Sequence, residues 1–305
     1  MTQHREHRNR ARSSRALALV LVLTASYTVA EIVGGLLTGS LALLADAGHM
    51  LGDSSALGLA LFAAWLAGRP ATPKRSFGYR RAEILAALAN GVALVAIAIW
   101  VFVEAIRRLD HSPRILGGWM LAVALVGLAV NLASASILVR AGDDNLNVQA
   151  AFRHVLADLA GSAGVIVAAL VVLTIGWQQA DALAGVAIGI LILASSWTIV
   201  RDSIAILLEA TPAGIDAREV GLRMAAAEGV VEVHDLHIWT ITSGFPALSA
   251  HVLVGRGEDC HARRRTLEQM LAREFHLEHT TLQVEHVGEP RRRIQLTRAI
   301  RRSGP

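Results

Sequence analysis

The chain has 305 residues, 53% hydrophobic and only 18% charged, with a mean hydropathy of +0.47. Soluble globular proteins carry about 25% charged residues. The deficit is uneven: residues 1–209 hold 29 charged side chains, about 14%, and residues 210–305 hold 25, about 26%. The first two-thirds therefore reads as a membrane domain and the last third as a soluble one, while the single cysteine, Cys260, excludes a disulfide scaffold. The formal charge of +4 does not point to nucleic acid, because the basic residues fall in short clusters beside apolar runs.

In chain order, residues 1–15 form a basic segment with Arg5, Arg8, Arg10, Arg12 and Arg15. Six apolar runs follow within residues 16–209: Ala16–Leu37, Leu41–Gly68, Ile84–Ile106, Ile115–Val139, His154–Ile175 and Ala182–Leu208. Each approaches or exceeds the roughly 20 residues that a membrane helix needs. All seven prolines lie outside these runs, as uninterrupted helices require. Counted over the flanks and connections, Lys and Arg number twelve on the side of the N-terminus and three on the other. The positive-inside rule then puts both termini in the cytoplasm, with the protein in the cytoplasmic membrane. A cleaved signal peptide ending near Thr28–Val29–Ala30 is the competing account of the first run; it would leave five spans.

Polar residues inside such runs are costly, about 2.5–3.5 kcal/mol for a central Asp on insertion scales. The second run contains His49 and Asp53, and the fifth His154 and Asp158. Both are His-x-x-x-Asp, and residues four apart stand on one helix face. Two such faces turned together offer two imidazoles and two carboxylates, the number and type of donors that tetrahedral zinc takes. His154 stands near the predicted start of its span. Asp46, three residues before His49, shares that face and is a candidate path residue for the cation. Glu31, Asn90, Glu104 and Asn131 are expected to make hydrogen bonds between helices. Asp181, Arg201 and Asp202 are expected to reach water at span ends, and Gly185 with Gly189 to allow close helix contact.

Residues 210–290 read as a cytoplasmic α+β domain in the order αββαβ, small enough to be ferredoxin-like. Asp216 caps a helix over Ala217–Glu228, Val230–Thr242 is a strand, Ser243–Pro246 turns, and Ala247–Val254 returns. Cys260–Phe275 is an amphipathic helix and His279–Val287 the last strand. Seven of the twelve histidines lie here: His234, His237, His251, His261, His276, His279 and His286. Strand alternation puts His279, Thr281, Gln283 and Glu285 on one face. Residues 291–305 form a basic tail suited to anionic lipid, and Asp143 and Asp144 a solvated turn.

The strings LLADAGHMLGD, ATPKRSFGYRRAEILAALANG, FRHVLADLAGS and VHDLHIWTITSG resemble the cation diffusion facilitator family, specifically its bacterial zinc/cadmium/cobalt efflux branch. The resemblance runs from about Arg15 to about Val287. It implies a homodimeric divalent-metal/proton antiporter, not an enzyme, with six transmembrane helices and a metallochaperone-like cytoplasmic domain. It also implies a transport site of His49, Asp53, His154 and Asp158, with histidine at the first position typical of zinc members. Zn, Cd or Co and protons would be its ions and no prosthetic group is implied. The resemblance further points to His234, His251, His261, His279 and Glu285 as a cytoplasmic metal site, with zinc as its candidate regulator. Gln283 stands where some members place a ligating histidine. The alternatives from other classes are a membrane-bound metal sensor without transport, a channel, and an intramembrane metalloenzyme. The last would need an open ligand position and a general base, and no HExxH motif occurs.

Overall fold

The computed structural model describes residues 2–111, 113–141, 146–288 and 300–301. The N-terminal arginines are described as helix backbone only, while Asp143, Asp144 and most of the basic tail lie outside the described residues. The helices are α1 (Thr2–Thr38), α2 (Leu41–Ala67), α3 (Ala82–Asp110), α4 (Gly117–Ala141), α5 (Leu146–Ile175) and α6 (Gln179–Leu207). Six of the described helices, these six, have the length and apolarity to cross a membrane. Of these bounds, one departs from expectation in a way that matters. α5 starts at Leu146, so His154 stands two turns inside the helix instead of at its opening.

The chain divides into two compact units, residues 1–60 with 89–200, and residues 61–88 with 201–305. In the first unit, α4 packs along both α1 and α5. Its core is Leu41, Leu43, Leu94, Val101, Met120, Val165 and Ile192. Small residues set the approach distances. A methyl added at Gly185 would lie 3.0 Å from Leu41 Cγ, and one at Gly189 3.1 Å from the Phe102 ring. The two glycines thus serve close contact of α6 with α2 and α3, as the small-xxx-small spacing predicts.

The intramembrane polar groups divide. Asn131 Nδ2 donates to Ser162 Oγ across α4 and α5 at 3.2 Å. Glu31 accepts from Tyr27 on its own helix at 2.9 Å and also shares a hydrogen bond with Asp46 across α1 and α2, whereas Glu104 finds its partner on its own helix, accepting from Arg108 at 3.0 Å. Four-residue spacing makes the local partner the nearer one. Asp181 corrects the expectation of a water-facing group. It is fully buried, because the backbone N–H groups that open α2 take its carboxylate.

The second unit holds α7 (Ala217–Ala226), β1 (Val230–Thr242), β2 (Phe245–Val254), α8 (Cys260–Phe275), β3 (His279–His286) and the two-residue β4 (Ile300–Arg301). The sheet order is β3-β2-β1-β4, with β1 antiparallel to β2 and β2 parallel to β3. This is the expected αββαβ domain with one addition, since Ile300 and Arg301, assigned above to the tail, pair with Val233 and Glu232. The hairpin is also tighter than predicted. Gly244 takes φ +70°, and Phe245 and Pro246 already pair with Thr242 and Thr240 in the sheet. Val220, Met224, Val233, Leu248, Val252, Leu267 and Leu271 fill the core beneath α7 and α8. Asp216 caps α7 as expected, accepting from Arg218 N at 2.8 Å. Asp259 caps α8, and the N–H groups of Ala262 and His261 hold its carboxyl below the usual carboxylate range.

Candidate metal centre

α2 and α5 bring their His-x-x-x-Asp faces to one place. His49 Nε2 lies 3.6 Å from Asp53 Oδ2 and 3.8 Å from Asp158 Oδ1. His154 Nε2 lies 3.3 Å from Asp53 Oδ2 and 3.6 Å from Asp158 Oδ2. The His49, Asp53 and Asp158 ligand atoms all fall within 4.8 Å of one another, and His154 reaches both carboxylates from the far side. The two imidazole rings stand 6.1 Å apart and tilted by 59°, so they are not stacked on each other.

Hydrogen bonding does not explain this convergence. Asp53 Oδ2, Asp158 Oδ1 and His49 Nδ1 are buried atoms without a hydrogen-bond partner. Leaving such groups unsatisfied costs about 1–3 kcal/mol each, and more for a charged one. A tetrahedral cation supplies another account. Donors held about 2.0–2.2 Å from zinc stand about 3.3–3.6 Å from one another, from the geometry of the tetrahedron. The four nitrogen–oxygen separations run from 3.3 to 3.8 Å.

Asp158 is only 4% exposed and His154 45%, so the site is closed on one side and open on the other. Asp53, His154 and Asp158 line a cavity of about 540 Å³ whose other walls include Leu17, Leu21, Met50 and Leu57. Asp46 is 4% exposed, and a methyl added at Gly161 would lie 3.3 Å from its Oδ1. It therefore sits against α5 about one turn beyond Asp158.

The candidate residues of the soluble domain are less convergent. His234, 2% exposed, pairs with His251 across β1 and β2, with ring centroids 5.3 Å apart, and its Nδ1 lies 3.3 Å from Glu232 Oε1. His237 and His251 line a cavity of about 270 Å³ with Asp235 and Gln283. Gln283 Nε2 donates to Glu285. His279 sits four residues from Gln283 on the same face, about 13 Å along β3 at 3.3 Å per residue, packed on Phe245 with centroids 5.2 Å apart. His261 is exposed at the start of α8. The five candidate residues do not meet within one chain, and the described residues of this unit hold no metal-type cluster. Cys260 lies 3.6 Å from His286 Nε2. Nothing in the spacing of those two residues announced that contact.

Six membrane-length helices, two of them bringing a His–Asp cluster together and joined to a small α+β domain, define a multi-pass membrane protein with a metal-type donor set inside its helices. The chain matches the cation efflux transmembrane domain over residues 17–208 and the cation efflux protein cytoplasmic domain over residues 212–287. It is 44% identical to the cadmium, cobalt and zinc/H(+)-K(+) antiporter of Bacillus velezensis, over 79% of this chain and 78% of that one. It is 42% identical to the metal cation efflux system protein CzcD of Cupriavidus metallidurans, covering 90% and 87%. It is 40% identical to the zinc transporter ZitB of Escherichia coli, covering 90% and 88%. A solved structure, the metal-bound C-terminal domain of the C. metallidurans CzcD transporter, is 39% identical over 23% of this chain and 99% of that one, with a TM-score of 0.23. The chain belongs to the cation efflux family, the cation diffusion facilitators.

Proposed function

We propose that the protein exports divalent metal ions, zinc foremost and cadmium and cobalt with it, in exchange for protons, through a transport site of His49, Asp53, His154 and Asp158. The observation that carries this reading is the convergence of two imidazoles on two carboxylates at nitrogen–oxygen separations of 3.3–3.8 Å, close to the donor spacing around zinc, with His49, Asp53 and Asp158 within 4.8 Å of one another and His154 just outside that group. The names of the relatives favour the same cargo.

Antiport follows from the donor chemistry. Imidazole and carboxylate hold metal only when deprotonated, so protons and metal compete for the same four groups. A proton entering from the acidic side displaces the ion, and loss of that proton on the other side restores affinity. A carrier must also release its ion. Two helices holding two donors each permit that, because a small shift between α2 and α5 separates the pairs. All four donors are spent on the ion, which leaves no open position for a reacting water and favours a carrier over a hydrolase. A sensor without transport has no use for two carboxylates inside the bilayer.

The charge tally favours the cytoplasmic membrane with both termini inside. The cavity of about 540 Å³ lies beside Leu17 and Leu21, in the half of the bundle nearest the N-terminus, and serves as the cytoplasmic entrance. Residues 16–209 form the transport domain and 210–290 the dimerising, metal-binding domain, with basic segments 1–15 and 291–305 at lipid headgroups. His234, His251, His261, His279 and Glu285 are proposed to take zinc with the partner chain's domain, since within one chain only His234 and His251 meet.

The test is metal flux into proteoliposomes under an imposed pH gradient, run separately for Zn²⁺, Cd²⁺, Co²⁺ and Mn²⁺. Flux should rise with the gradient, collapse when it is dissipated, and be lowest for Mn²⁺. Flux indifferent to the gradient would mark a channel instead.

A further inference from the structure

α2 carries two of the four proposed ligands, and the way its first turn is held is unusual. A helix opens with N–H groups that have no partner inside it, and a serine, threonine, aspartate or asparagine at its own start commonly accepts from them. Ser40 stands at that position, and its Oγ accepts from Leu43 N at 3.1 Å. The stronger cap comes from another helix. Asp181, in the first turn of α6, accepts from Leu41 N at 2.7 Å, from Ala42 N at 3.1 Å and from the Ser40 hydroxyl at 2.5 Å. It is fully buried.

The grip extends to α3. Arg108 Nη1 donates to Gly39 O at 2.6 Å and lies 3.5 Å from Asp181 Oδ2, while Glu104 holds the same guanidinium at 3.0 Å. Gly39, with φ +72°, makes the tight turn that delivers Ser40 to this point. Beside it, Gln178 accepts from Ile115 N at 2.9 Å, just ahead of α4. One buried carboxylate thus joins the start of α2 to α6 and, through Arg108, to α3.

Resting on the transport site proposed above, we propose that Asp181 is a positioning residue for metal transport: it fixes the end of α2 about which that helix turns, and so sets His49 and Asp53 against His154 and Asp158. The arithmetic of a lever makes this consequential. At 1.5 Å rise per residue, His49 lies about 12 Å and Asp53 about 18 Å from Leu41. A tilt of about 5° about the clamped end moves them by about 1 and 1.5 Å, against a tolerance of about 0.2 Å in a metal–ligand distance. Loosening the clamp degrades the donor geometry while leaving each donor in the chain.

The experiment uses the full-length protein. Asp181→Asn keeps the volume but sets an amide donor where two backbone donors need an acceptor. The zinc concentration for half-maximal flux should rise about tenfold, the ratio that 1.4 kcal/mol represents, with the maximal rate held within about twofold. Cobalt supplies a readout that a general loss of fold would not mimic. The visible absorption of Co²⁺ bound at the membrane site, taken as the difference from an Asp158→Asn sample, should lose tetrahedral intensity in Asp181→Asn. Ser40→Ala, which removes one bond of the clamp, should move both quantities in the same direction by less, and it decides the matter if Asp181→Asn does not fold. Wild-type half-saturation and cobalt spectrum in the folded Asp181→Asn protein, or in Ser40→Ala where the former is not folded, would overturn the proposal. Normal zinc flux in Asp158→Asn would instead sink the ligand assignment itself, whatever Asp181 does.

Discussion

The membrane bundle and the soluble domain both present histidines beside acidic residues, yet the bundle draws two histidines and two carboxylates to one place within one chain, and the soluble domain brings together only His234, Glu232 and His251. The difference is one of solvent. Inside a bilayer a carboxylate costs about 2.5–3.5 kcal/mol on insertion scales, so each one there has a reason that can be sought. Asp46, Asp158 and Asp181 are all buried in this unit. Two of these lie at the donor cluster or one turn from it, and the third caps α2. On the soluble domain a histidine at the surface carries little penalty, and its presence says little. His261 and His279 are exposed, and His279 is satisfied by aromatic neighbours. His234 is the exception, buried against Glu232 and His251.

The comparison breaks most sharply if a ligand in the bundle is dispensable. Asp158→Asn should lower zinc affinity at the membrane site by more than about 100-fold, beyond the 10–100-fold typical of outer-shell changes. The helical content should stay intact, because the unmetallated carboxylate is a burden in the bilayer. Equilibrium zinc binding and far-UV circular dichroism on one sample check both halves. Next in size, His49→Asp exchanges an imidazole for a carboxylate and hardens the site. Initial rates for zinc and manganese in the same vesicles should move closer together; an unchanged ratio would remove His49 from the donor set.

Smaller effects belong to the soluble domain. Replacing His251, His279 and Glu285 together by Ala should abolish its zinc-dependent thermal stabilisation. That amounts to about 2.7 kcal/mol at a hundredfold excess over the dissociation constant. Zinc flux at low metal should weaken while flux at high metal persists. Full stabilisation in the triple variant would relocate the site towards His234 and His237.

The smallest effect is structural. Asp259→Ala removes the cap of α8 and should lower the unfolding temperature of that domain without altering flux. The sign with pH is fixed by the lowered carboxyl: its contribution is complete above the ordinary aspartate range near about pH 3.9 and fades as pH falls through the folded value. The wild-type and Ala domains should therefore converge in stability at acid pH.

What was legible in the sequence follows the same division. His49 with Asp53, and His154 with Asp158, could be paired because helix periodicity fixes which residues four apart share a face, and each pair is local. Meeting of the two pairs needed the tertiary structure, but the donor count already hinted at it. The position of Asp181 near a span end predicts a wetted group, and the structure buries it instead, because its partners at Ser40, Leu41 and Ala42 lie about 140 residues away. No local pattern encodes that contact. The sheet was readable from β-branched runs and from the Asp216 cap. The pairing of Ile300 and Arg301 with β1 was not, since two residues carry no alternation. The chemistry of Pro246 predicts a turn, and the structure uses it at the sheet's end beside the two-residue turn Ser243–Gly244.

The central claim, that these four side chains carry the exported metal in exchange for protons, is tested most directly by zinc flux in proteoliposomes reconstituted in parallel with wild-type protein and Asp158→Asn. The pH gradient is imposed in each direction in turn. The account predicts zinc movement opposite to the proton gradient in the wild type, reversing when the gradient is reversed, and background flux in the folded variant under both. Gradient-driven zinc flux of wild-type size in Asp158→Asn would contradict it.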